Sequence, residues 1–259
     1  MSELAKTLWQ ARLTGAVIDQ HAVALPETIE AAYAIQREIV VLSGARVRGF
    51  KIGSTSLEAQ RLLGTTEPGS AELLEPYVFE SPATVAISPL HMAAVEGEFA
   101  FKLARDLAPR AAPYTRDEVA EAVAAVAGAI EVVGTRFAGG LAGKGRLLTT
   151  ADGGVNIAGV FGRWVEDWPG LDLPGHAVAM RINGKTMGEG TGARALGDPM
   201  NVLVWLANQQ SRWGRGLRAG EMISTGTCTG IDPVHPGDKA VADFGALGTV
   251  EITFREFRA

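Results

Sequence analysis

Val95-Glu96-Gly97-Glu98-Phe99-Ala100-Phe101, within His91–Leu107, is the stretch around which the chain is organised. In the period-2 alternation of a strand, Glu96, Glu98 and Ala100 face one way while Val95, Phe99, Phe101 and Leu103 face the other. Two carboxylates about 7 Å apart on one face of an apolar strand raise each other's pKa unless something positive lies between them. A hard divalent cation such as Mg²⁺ or Mn²⁺ suits carboxylate oxygens and is the simplest such partner. The plainer alternative is a strand at the sheet surface with both Glu solvated, the usual fate of this residue.

Company elsewhere in the chain bears on that choice. Glu131 lies in a second apolar run, Ala129-Ile130-Glu131-Val132-Val133, and Lys51 sits inside Gly49-Phe50-Lys51-Ile52-Gly53. An ionised group in such a run needs a partner if it is buried. Each of the four has an ordinary explanation, a snorkelling head group or a structural ion pair. Together they point to a metal-dependent enzyme acting on an anionic, oxygen-rich small molecule.

Around these runs the pattern predicts amphipathic helices over Leu4–Gly15 and Ile29–Leu42, a strand at Gly49–Gly53, and a helical turn or two over Ser56–Leu63 ended by Gly64. Thr65–Ser81, rich in Glu, Pro and Gly, reads as a loop region able to move over a site. Val78–Ser88 and Ala93–Leu107 read as strands. Thr115 followed by Glu118 forms a capping box, which predicts a helix over Thr115–Gly128 feeding the Ala129–Val133 strand. Gly-rich Ala138–Gly145 reads as a flexible loop. From Val155 onward the pattern turns to β, with a strand at Gly159–Trp164. Asn183-Gly184, between Ala177–Ile182 and Lys185–Glu189, is a two-residue hairpin signal. Asp198-Pro199 opens a helix running to Gln210, and Met222–Phe257 is strand and turn. Helices cluster early and antiparallel β late, the signature of an α+β fold.

Composition narrows the classes further. With 259 residues and 47% hydrophobic content the chain can bury a sizeable core. A net charge of −5 without any Lys/Arg run argues against a nucleic-acid or anionic-membrane surface. Cys228 is the only cysteine, so no internal disulfide forms, which fits a reducing cytoplasm. It lacks an obvious base and reads as a small buried residue. Neither a signal peptide nor a transmembrane helix is indicated.

Other chemistries fit poorly. Gly143-Lys144 fails as a Walker A end, because Lys144 is followed by Gly145. Gly188-Glu189-Gly190-Thr191-Gly192-Ala193 satisfies a loose dinucleotide fingerprint, but it follows a hairpin arm and has no acid at the ribose position. His21, His91, His176 and His235 are scattered, with no G-x-S-x-G and no zinc spacing.

Taken together, these residues resemble the 2-oxopent-4-enoate hydratase and 4-oxalocrotonate decarboxylase group of the fumarylacetoacetate hydrolase superfamily. The resemblance runs through Ala32-Tyr33-Ala34-Ile35-Gln36, Gly49-Phe50-Lys51-Ile52-Gly53-Ser54-Thr55-Ser56, the Glu96/Glu98 stretch and Ile130-Glu131-Val132-Val133. It continues through Gly190–Ala193, Trp205-Leu206-Ala207-Asn208, Leu217-Arg218-Ala219-Gly220 and Thr225-Gly226-Thr227-Cys228-Thr229-Gly230. It implies an α+β fold, a mixed β-roll or sandwich, with residues 1–75 as a small N-terminal α/β region and 76–259 as the β-rich metal-binding catalytic domain. It further implies that Glu96, Glu98 and Glu131 bind Mg²⁺ or Mn²⁺ and that Lys51 acts beside the metal. The backbone near Leu63 and the hydroxyl of Thr229 would help hold a small 2-oxo acid. A homo-oligomer is implied as well.

Two departures from the hydratase pattern stand out. Hydratases carry P-D-x-G after Leu63-Gly64, with Asp in acid/base work, whereas here Pro68-Gly69-Ser70-Ala71 puts Gly69 in the Asp slot; Glu67 and Glu72 flank it. Asp152-Gly153-Gly154-Val155-Asn156 stands where D-N-x-S is usual, so Val155 holds the serine position. Three readings follow: a hydratase, a decarboxylase of the same group, which also lacks that Asp, and a non-catalytic or partner-dependent relative.

Overall fold

The computed structural model describes residues 1–258. Its helices are α1 (Glu3–Thr14), α2 (Ile29–Ser43), α3 (Leu57–Leu63), α4 (Arg116–Ala120), α5 (Gly145–Ala151) and α6 (Pro199–Arg212). The early strands are β1 (Val47–Gly53), β2 (Gly69–Leu74), β3 (Val78–Glu80), β4 (Ala83–Ile87), β5 (Ala94–Leu103), β6 (Val123–Val133) and β7 (Asn156–Phe161). The later ones are β8 (Ala177–Ile182), β9 (Lys185–Thr191), β10 (Met222–Thr227), β11 (Asp232–Pro233), β12 (Lys239–Asp243) and β13 (Thr249–Glu256).

Two sheets hold the molecule together. The larger has eight strands in the order β2-β1-β10-β5-β6-β7-β3, with β11 added beside β5, and the smaller has five in the order β4-β13-β12-β8-β9. Side chains from their facing surfaces, among them Phe99, Val126, Val160, Met180, Phe244 and Ile252, form the main core. The larger sheet contains strands from both sides of residue 75. A second cluster joins α1 and α2 through Leu4, Leu8, Ile35 and Ile39. α+β is therefore the class, with both sheets mixing parallel and antiparallel pairs.

The apolar strands sit where their composition requires. Every residue of β5 except Lys102 is buried, and β6, flanked by β5 and β7, is buried almost throughout. A strand covered on both faces reads as a continuous apolar run, which explains a correction to the expected helix over Thr115–Gly128. The Thr115/Glu118 capping box forms as expected, but α4 ends at Ala120 and the Ala/Val-rich remainder enters β6. Pairing along the whole of β5 overrides the helical pattern of that run. Thr65–Ser81 is likewise not a loop. Its central part is β2, antiparallel to β1, with Gly69 opposite Gly53 and Ala71 opposite Lys51. Val78–Ser88 divides into β3 and β4 around Ser81-Pro82. The Asn183-Gly184 hairpin forms between β8 and β9, with positive φ at both turn residues as a type I′ turn requires.

Candidate metal centre

Three strands of the larger sheet carry the groups singled out from the sequence. Lys51 is on β1, Glu96 and Glu98 on β5, and Glu131 on β6, where it stands directly opposite Glu96 in the ladder. Between β1 and β5 runs β10, which places Ser224 beside Lys51. All four ionisable residues are buried, at 4%, 8%, 1% and 2% exposure for Lys51, Glu96, Glu98 and Glu131. That removes the solvated-strand alternative. One carboxylate oxygen from each Glu lies within 4.8 Å of the others.

The partners of these acids are few and specific. Asn156 Nδ2 donates to Glu131 Oε1 at 2.9 Å. Lys51 Nζ stands 3.2 Å from Glu131 Oε2 and donates to the Gly154 carbonyl at 3.1 Å. Glu98 Oε2 accepts from the Ser224 hydroxyl in a short bond and from the Gly226 N–H at 2.9 Å. The Gly226 bond exists because β10 shifts register between Ser224 and Thr227, and such a bulge re-aims the backbone. Glu98 Oε1 has no hydrogen-bond partner.

Three carboxylates thus face one ammonium in a buried setting. Burial, reinforced by the charge on Glu131, pushes Glu96 up to about 8. Burial also raises Glu98 well above the carboxylate range, and it raises Glu131 against the opposing pull of Lys51. Burial disfavours the Lys51 charge, but the three Glu outweigh it and hold its pKa above the ordinary lysine value. An all-oxygen donor set with an orphaned, buried carboxylate oxygen fits a hard divalent cation, and this acidic triad can bind one.

The turn before β7 supports the cluster. Asp152 accepts from Thr135 Oγ1 at 2.8 Å and from the Arg136 N–H at 2.9 Å, and pairs with the Arg136 guanidinium. Gly153, Gly154 and Val155 then all take positive φ, which delivers the Gly154 carbonyl to Lys51 and Asn156 to Glu131. A β-branched residue at φ 57° is strained.

The cluster opens into a cavity of about 490 Å³ lined in part by Lys51, Glu96, Glu98, Leu63 of α3, Gly69 and Arg146. Leu63 is therefore on its wall. Thr229 lies one step out: its hydroxyl accepts from the Gly97 N–H at 3.0 Å, while Gly226 and Thr227 line the cavity itself. Cys228 is buried, and burial pushes its thiol up to about 12, so it is no thiolate nucleophile. Sequence reasoning missed Arg146, Ser224 and the helix α5. Asn156 and Ser224, polar residues bordering apolar runs, were the available signals for the supporting hydrogen bonds.

The fumarylacetoacetate hydrolase C-terminal profile matches residues 50–255. The chain belongs to the fumarylacetoacetate hydrolase family. It is 36% identical to the 2-keto-4-pentenoate hydratase of Paraburkholderia xenovorans (strain LB400), over 97% of this chain and 94% of that protein. With the 2-hydroxyhexa-2,4-dienoate hydratase of Comamonas testosteroni it shares 33% identity over 98% of this chain and 95% of the relative. The fold matches that of 4-oxalocrotonate decarboxylase from Pseudomonas putida G7, complexed with magnesium and adipate, at a TM-score of 0.88 and 27% identity, covering 97% and 95% of the two chains.

Proposed function

We propose that this chain is a divalent-metal-dependent lyase acting on 2-oxo or 2-hydroxy-dienoate acids in aromatic-compound catabolism, of the hydratase type that adds water. The observation that carries the proposal is the buried Glu96/Glu98/Glu131 triad with Lys51 at the base of a cavity. The named hydratases at 36% and 33% identity support the reaction class.

In this reading Glu96, Glu98 and Glu131 hold Mg²⁺ or Mn²⁺. Such a cation, when bound, supplies Lewis-acid charge to the carboxylate and 2-oxo oxygens of the substrate. Lys51 Nζ, anchored by the Gly154 carbonyl and Glu131, donates a hydrogen bond to the same oxygen and holds the proton there. Leu63 contributes backbone and apolar wall at the end of α3. Thr229 helps hold the substrate by fixing the Gly97 peptide between the two acids. The same reading makes the protein a homo-oligomer, as the resemblance implies, and a cytoplasmic one, which the single cysteine fits. No helix among the described residues is long and apolar enough to cross a membrane.

A second reading, a decarboxylase on the same metal site, is favoured by Gly69, which leaves no acid where hydratases place one. Incubation with Mg²⁺ and either 2-hydroxypenta-2,4-dienoate or 2-oxohex-3-enedioate separates the two. Loss of dienoate absorbance without CO₂ supports the hydratase, and CO₂ from the second compound supports the decarboxylase. Silence with both overturns the lyase assignment in favour of a non-catalytic or partner-dependent relative.

A further inference from the structure

Gly69 leaves room for a cation. A Cβ built on it would fall 2.5 Å from Arg146 Cζ and closer still to both terminal nitrogens, so the guanidinium occupies the space a side chain would need. Arg146 reaches there from the first turn of α5, on the cavity wall.

The guanidinium is poorly used by the protein itself. Nη2 donates to the Pro68 carbonyl at 2.6 Å and Nη1 meets Ser54 Oγ at 3.4 Å, while Nε is buried with no partner. A guanidinium offers five N–H donors and is always charged. The nearby ion pairs, Lys51–Glu131 and Arg136–Asp152, leave Arg146 without a carboxylate among the described residues. Its cavity neighbours include the apolar Leu62, Leu63, Leu141, Val155 and Ile231. A half-buried guanidinium without a paired carboxylate can take an anion.

The ladder fixes its relation to the metal end. Gly53 and Gly69 are direct partners on β1 and β2, so groups standing over them share one face of the sheet. The Cβ position of Gly53 is 3.2 Å from Lys51 Nζ. With opposed Cβ positions about 5 Å apart, Lys51 and Arg146 lie within roughly 10 Å of each other along one wall. A ligand whose 2-oxo-carboxylate end sits at Lys51 and the acidic triad presents its far end to Arg146.

We propose that Arg146 is a specificity-determining residue that binds a second carboxylate, so that the cavity selects short 2-oxo dicarboxylates over monocarboxylates of equal length. This rests on the lyase reading for the orientation of the ligand and deepens its decarboxylase form, whose test substrate 2-oxohex-3-enedioate is a diacid.

The test is calorimetric titration of the Mn²⁺-loaded and metal-free protein with 2-oxoadipate and with 2-oxohexanoate, which differ only in the distal carboxylate. Wild-type protein should prefer the diacid by roughly tenfold or more, the scale of a charge-assisted hydrogen bond. Arg146→Gln should narrow that ratio to within about twofold, and so should Gly69→Ala, which displaces the guanidinium without deleting it. Two variants that reach the same end by different routes, each checked for native circular dichroism, guard against loss of fold. A wild-type ratio near one, or a ratio that survives both substitutions, overturns the role of Arg146. Should Mn²⁺ leave the binding of both acids unchanged while Arg146→Gln still narrows the ratio, the metal reading falls and the role of Arg146 stands. Should Mn²⁺ tighten both acids with a ratio near one, the reverse holds.

Discussion

Glu131 is where the cluster is tied together: opposite Glu96, bonded by Asn156 and paired with Lys51. Removing the only cation from such a group leaves buried charge uncompensated, which costs about 3–5 kcal/mol when one partner of a buried pair is deleted. Lys51→Met should therefore lower the unfolding free energy of the metal-free protein by about that amount near neutral pH, measured in urea, with part of the loss recovered by Mn²⁺. The pH dependence has a definite sign. Glu96, raised from 4.5 to about 8 in the folded protein, holds a proton that the unfolded chain has released across that window. Its contribution to stability is complete below 4.5 and lost as pH rises towards 8, so the metal-free protein should become less stable over that range. Cation binding displaces the same proton, so Mn²⁺ affinity should rise with pH and titrations in buffers of different ionisation enthalpy should detect proton release. Flat profiles would contradict both expectations. Glu96, Glu98, Glu131 and Lys51 were legible in the sequence because charge inside an apolar run is conspicuous. Arg146 was not, because nothing periodic surrounds it and its meaning comes from Gly69, 77 positions earlier.

At the scale of elements, β5 and β6 form the floor of the site, and the second sheet fixes their position from behind. Phe99, next to Glu98, packs edge-to-face on Phe244 with ring centroids 5.5 Å apart, and both are fully buried. Phe244→Ala should cost about 3–5 kcal/mol in urea denaturation, and a loss under about 1 kcal/mol would show that the sheets are not coupled there. The Asn183-Gly184 hairpin and the capped start of α4 could be read locally, since turn and cap chemistry is local. The switch from α4 to β6 could not. Ala122–Gly128 carries no local preference strong enough to resist the ladder on either side, and the strand identity of Gly69–Leu74 likewise comes from its pairing with β1.

For the molecule as a whole, the two packed sheets hold one buried acidic cluster beside a cavity that Arg146 also lines. The family fixes the scaffold, while Gly69 and Val155 depart from the hydratase pattern and Arg146 fills the space over Gly69. On the proposal that the cation binds only the assembled triad, saturating Mn²⁺ at about a hundred times its dissociation constant should stabilise the fold by about 2.7 kcal/mol, seen as a raised thermal midpoint. The most direct test is calorimetric titration of Mn²⁺ into wild-type protein and into the Glu96→Gln, Glu98→Gln double variant. The expected result is a single site in the wild type and, in the variant, a weakening beyond the roughly 10- to 100-fold that loss of one supporting partner costs. Unchanged affinity in a variant with native circular dichroism would contradict the assignment of the metal centre.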